Sequence, residues 1–78
     1  MAIFNFTVSA YDGIDSASKD VNTFSAAMRE FSKAINTNRF DLVAITANYC
    51  EGETEDVAIW STENGLSMNT HLIALDIY

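Results

Sequence analysis

Proline is missing altogether from this 78-residue sequence, and glycine occurs only three times. The turns must therefore draw on Gly13, Gly52 and Gly65 and on Asn and Asp, residues that tolerate tight backbone geometry. Cysteine is nearly absent too. Cys50 stands alone, which excludes an intrachain disulfide framework and fits a reducing, cytoplasmic setting. No apolar run approaches the ~20 residues of a membrane-spanning helix, and "MAIFNFTVSA" lacks the positive start and long apolar stretch of a secretory signal. The expectation is a protein with no membrane partner.

Basic residues are missing from one entire half. Residues 1–39 balance Asp12, Asp15, Asp20 and Glu30 against Lys19, Arg29, Lys33 and Arg39. Residues 40–78 hold Asp41, Glu51, Glu53, Glu55, Asp56, Glu63 and Asp76 and no Lys or Arg, so the whole net charge of −7 lies there. Direct binding to nucleic acid is not expected, because phosphate contacts need clustered Lys and Arg. A basic protein surface is the complementary partner.

What the chain does have is apolar content, 49% hydrophobic and 12% aromatic, well above that of a disordered acidic chain. We read residues 1–78 as one α+β domain. Residues 2–11 alternate, with Phe4, Phe6, Val8 and Ala10 on one face, as in a half-buried strand. "YDGID" (11–15) breaks that pattern with turn residues. Ala17, Val21, Phe24, Met28, Phe31 and Ile35 then recur at helical spacing, which predicts a helix over 17–36. Ser16 or Ser18 would be its N-cap, and Asn36 or Asn38 would mark its end.

A second strand is expected at 40–50, a third at 57–62 and a last at 70–78, in the order β-α-β-β-β. One helix would pack on a mainly antiparallel four-stranded sheet. Asn64-Gly65 is the composition of a two-residue type I′ hairpin. That turn would pair Val57 with Leu72, Ile59 with Thr70 and Ser61 with Met68. The core would be Phe4, Phe6, Val8, Val21, Phe24, Met28, Phe31, Ile35, several of residues 42–45, Val57, Ile59 and Leu72. Trp60 and His71, with Tyr11 or Tyr49, would lie on the opposite, uncovered face.

No nucleophile motif, phosphate-cradling glycine loop or cofactor signature occurs, so no catalytic residue and no cofactor are assigned. Cys50 and His71, the only conventional pair, sit on different predicted strands and read as a buried structural thiol and a half-exposed imidazole. The stretch "CEGETED" (50–56) places Glu51, Glu53, Glu55 and Asp56 within six positions. These are oxygen ligands of the kind Ca²⁺ accepts, but the EF-hand pattern is absent and alternate residues of an extended segment do not converge on one ion. Two readings carry more weight. The segment is a solvated hairpin loop that serves solubility and blunts edge association. Alternatively it is an interaction surface, because in an extended chain alternate Glu side chains share a face at about 6.6 Å spacing, like a line of backbone phosphates. Glu63 would reinforce that row, and Trp60 would be an aromatic anchor of the kind enriched at interface hot spots.

In its small size, polarised charge and "EGETED" segment, the chain resembles the acidic inhibitors that bacteriophages encode against host defences, the anti-CRISPR proteins. That resemblance implies a stoichiometric inhibitor acting in the host cytoplasm on a basic, nucleic-acid-binding complex, by DNA mimicry. The competing expectation is a self-associating module, such as a homodimer, whose acidic loop only solvates it.

Overall fold

The computed structural model describes residues 3–69. Its elements are β1 (Ile3–Tyr11), β2 (Ser16–Val21), α1 (Phe24–Asn36), β3 (Leu42–Tyr49), β4 (Thr54–Ser61) and β5 (Gly65–Met68). The five strands form one sheet in the order β2-β1-β3-β4-β5, with every neighbouring pair antiparallel. The architecture is α+β with a single helix among the described residues, as the sequence indicated, but the sheet has a strand that the periodicity concealed.

That strand is β2. Ala17 and Val21 fit a helical stripe, yet residues 16–21 turn back along β1. The Asp12 carboxylate accepts hydrogen bonds from the backbone of Ile14 (2.9 Å) and Asp15 (2.7 Å), and Gly13 takes a φ of 95°. This tight turn aims the chain antiparallel, and ladder bonds then override a weak local preference. The helix instead begins at Phe24, with Thr23 as its N-cap in place of Ser16 or Ser18. The Thr23 hydroxyl accepts from the Ala26 amide at 3.1 Å. Its far end passes through Thr37 into Asn38, which adopts a left-handed φ of 59°.

Directly opposed residues share a sheet face. On the side beneath α1 lie Phe6, Val8 and Ala10 of β1 against Ala47, Ile45 and Val43 of β3. Phe24, Ala27 and Phe31 of the helix close over them, and the rings of Phe6 and Phe24 meet at 5.8 Å in a tilted contact. Phe4, expected in this core, is 70% exposed. The β1–β3 register slips at this point, Ile3 facing Tyr49 and Asn5 facing Asn48, so Phe4 has no cross-strand partner and Ile3 packs on the core instead.

A second slip reorganises β4. Ile45 pairs with Ala58 and Thr46 with Asp56, leaving Val57 as an extra residue. In such a bulge two successive residues oppose one, and here Val57 and Ala58 are both fully buried. The alternation beyond it is shifted, so Trp60, opposite Val43, lies on the helix side and packs against the core. The expected placement of Trp60 on the uncovered face is thereby corrected, and Ile59, opposite Ala44, takes the open face instead. The β4–β5 connection is also longer than a two-residue turn. Ser61 pairs with Gly65 across residues 62–64, and Gly65 has a φ of 73°, as in a three-residue loop closed by a left-handed glycine. Ile59 therefore faces Ser67, and Ser61 faces Gly65. The predicted strand 70–78, with His71 and Leu72, lies outside the described residues.

The sheet face opposite α1 is polar rather than aromatic. Asn48 donates to Asn5 and to Thr7, each at 2.8 Å, and the Thr7 hydroxyl donates to Asp20 at 2.8 Å. Tyr11 projects on this side and is exposed, whereas Tyr49 is buried on the helix side. A face whose side chains satisfy one another in this way needs no second layer to cover it.

Candidate functional site

The acidic stretch forms the β3–β4 hairpin, and its geometry follows from one glycine. The Gly52 amide donates to the Tyr49 carbonyl at 3.0 Å, and the Tyr49 amide donates to the Glu53 carbonyl at 2.8 Å. Gly52 holds a φ of 95°, a conformation L side chains rarely adopt. Cys50 and Glu51 occupy the exposed tip of this turn. Cys50 is thus an exposed free thiol, not the buried structural residue expected.

Glu51, Glu53, Glu55 and Asp56 are all exposed, but they do not line up as one row. Glu55 stands opposite Ala47 on the helix side, and Glu53, which precedes β4 and accepts from the Tyr49 amide through its carbonyl, lies next to Tyr49 on that side. Asp56 stands opposite Thr46 on the polar open face, where the Thr46 hydroxyl donates to it at 3.4 Å. The hairpin therefore presents carboxylates at its tip and on both faces, an acidic knob rather than a flat ridge. Glu63 sits in the 62–64 loop at the other end of β4, beyond Ser61, which is itself roughly 20 Å from Glu55 at the usual ~3.3 Å rise per strand residue. It keeps company there with Asp41, whose carbonyl accepts from the Thr62 amide at 3.0 Å.

Two residues that sequence reasoning left out of the site hold one of its carboxylates, that of Glu55, in place. The Tyr49 hydroxyl donates to Glu55 Oε1 at 2.9 Å, and Asn69 Nδ2 donates to Glu55 Oε2 at 3.5 Å and to the Asp56 carbonyl at 3.4 Å. Burial first, then the bond to Glu55 and the negative charges of Glu55 and Glu53, push the Tyr49 hydroxyl above its ordinary pKa of 10.0. The available signal was the alternation that buries Tyr49 directly beneath the acidic arm. Trp60 lies five residues along β4 from Glu55, between Val43 and Leu66 on the helix side, half-buried. It belongs to the core margin and does not join the hairpin tip.

Among the described residues, no group of three or more His, Cys, Asp or Glu side chains is placed to hold a metal ion. No described helix is long and apolar enough to cross a membrane. The hairpin can accept hydrogen bonds and attract cations, the chemistry of a surface that meets Lys and Arg. The chain matches no family model, no curated protein and no solved structure.

Proposed function

We propose that this protein works by binding, and that its acidic β3–β4 hairpin engages a basic surface on a nucleic-acid-binding protein complex as a stoichiometric inhibitor. The observation that carries the reading is the combination of exposure and bracing. Glu51, Glu53 and Glu55 project from one tight hairpin whose arm is tied down by Tyr49 and Asn69, in a half of the sequence with no cation to neutralise it. A braced array of charge loses less freedom on binding than a loose tail. Glu53 and Glu55, on one face about 6.6 Å apart at strand rise, support the DNA-mimic form of this reading, with Asp56 as a contact from the other face. Glu63 and Trp60 stand apart and are secondary contacts at most.

The test is capture of the partner from a host lysate, followed by association kinetics at two salt concentrations. Exposed charge pairs are individually worth about 0–1 kcal/mol, and their collective effect is chiefly on the association rate. Changing Glu51, Glu53, Glu55 and Asp56 together to Gln should slow association and flatten its salt dependence, while single changes do little. Unchanged low-salt association in the quadruple variant refutes the proposal and leaves the hairpin a solvated turn. The second reading, a module that acts by self-association, is favoured by a separate feature, the outer edge of β2, which pairs with no other described strand.

A further inference from the structure

β2 is an edge strand with an unusual composition. Its six residues, "SASKDV", are exposed except for Val21, and serine, alanine, lysine and aspartate are all poor strand formers. Its place in the sheet rests on backbone pairing with β1 and on an ion pair from Lys19 to Glu30 of α1 at 3.1 Å. Among the described residues nothing pairs with its outer side. Neither a proline nor a bulge interrupts it, and its two charged side chains are engaged within the chain, Lys19 with Glu30 and Asp20 with Thr7. Between β2 and α1 runs a shallow, mostly apolar trench lined by Val8, Ala10, Ala17, Lys19, Ala34 and Phe40.

We propose that two copies of the chain join through β2, antiparallel about a two-fold axis, with Ser18 opposite its own counterpart, so that the two sheets become one. This proposal is independent of the acidic hairpin and its partner. Charge selects the occupant and the edge. The residues 1–39 that contain β2 have no net charge, while Asp41, Glu51, Glu53, Glu55, Asp56 and Glu63 lie on or beside β3 and β4 with no Lys or Arg among them. Joining at β2 keeps the two acidic halves at the far ends of the combined sheet. Joining at β5 would bring them together.

Symmetry selects the register. An antiparallel two-fold keeps both helices on the same side, so only residues on the same face can be opposed. The two longest registers that satisfy this centre on Ser18 or on Lys19. Centring on Lys19 would set two ammonium groups face to face, which is unfavourable. Centring on Ser18 places Lys19 opposite Ala17 of the second copy and Asp20 opposite Ser16. It also merges the two trenches and covers Ala17, and it gives β2 a second set of ladder bonds.

Position-specific crosslinking tests this. In a Cys50→Ser background, Ser18→Cys should oxidise to a disulfide-linked dimer, because directly opposed strand residues have Cα atoms about 4.5–5.5 Å apart, within disulfide reach. Asp20→Cys should not, since in this register it is offset from its own counterpart by four residues. Sedimentation of the full-length protein at high micromolar concentration should show a dimer. Ser18→Lys, at an exposed position that leaves the fold intact, should shift it to monomer. A parent monomer at that concentration overturns the proposal and leaves the edge to a different chain. A dimer that survives Ser18→Lys, or equal crosslinking at 18 and 20, overturns it in favour of another interface.

Discussion

Phe31 and Phe4 look alike in the sequence, each on the apolar face of a periodic segment, and the structure separates them sharply. Phe31 is 2% exposed and Phe4 70% exposed. Truncating a buried phenylalanine to alanine removes its transfer free energy and leaves a cavity, about 3–5 kcal/mol together. A chain of this length has a total stability of roughly 4–12 kcal/mol at the ~0.05–0.15 kcal/mol per residue typical of domains. Phe31→Ala should therefore remove a large share of that margin. Phe4→Ala leaves no cavity, and should stay near the ~0.5 kcal/mol expected of surface changes. Urea denaturation followed by tryptophan fluorescence measures both, since Trp60 borders the core. The midpoint should fall steeply for Phe31→Ala and hardly at all for Phe4→Ala, with similar slopes. Equal losses would refute the slipped β1 register and return Phe4 to the core.

Two further outcomes check the remaining structural assignments. Thr23→Ala should cost about 1 kcal/mol through loss of the N-cap, lowering the melting temperature by roughly 4–8 °C for a domain of this size, whereas Ser16→Ala and Ser18→Ala should leave helix content unchanged by circular dichroism. The Tyr49 hydroxyl has a pKa raised above 10.0 in the folded state, so the native state holds that proton more tightly than the unfolded chain. Its contribution is complete below pH 10 and is lost as pH rises through the folded value. Tyr49→Phe should accordingly flatten the alkaline fall in stability seen in denaturation midpoints above pH 10, and an unchanged alkaline limb would contradict the Tyr49–Glu55 contact.

Sequence pattern reveals the parts of this fold that one element settles by itself. The stripe of Phe24, Met28, Phe31 and Ile35 is long and strongly periodic, and the Phe6, Val8 and Ala10 alternation has only one burying solution. Phe24, Phe31, Phe6, Val8 and Ala10 are buried as predicted, while Met28 and Ile35 pack at the margin of the core and Phe4 is exposed. Element boundaries that depend on tertiary pairing were not legible. Ala17 and Val21 extend the helical stripe by coincidence of spacing, and it is the Asp12 turn and the antiparallel pairing with β1 that make residues 16–21 a strand. The acidic character of 50–56 was evident, but the distribution of its carboxylates over two faces depends on a hairpin register that composition does not encode. Tyr49, which braces Glu55, carried no signal beyond its alternation.

The bulge at Val57 explains why one local feature misdirects so much. "VAIW" (57–60) is apolar at every position, so alternation alone does not say which residues face the core. An unbroken strand would bury Val57 and Ile59 and would place Glu55 with them on the helix side, with Trp60 opposite. One extra residue lets Val57 and Ala58 both enter the core and brings Trp60 to the helix side behind them. Glu53 and Glu55 lie before the slip and keep the parity of β3, beside Tyr49. Asp56 is turned to the other face, beside Thr46. The same insertion thus completes the core on one side of position 57 and distributes charge on the other. The acidic hairpin is consequently anchored at its base by buried apolar residues, so charge-removing substitutions at its tip should leave folding intact and test the proposed binding alone.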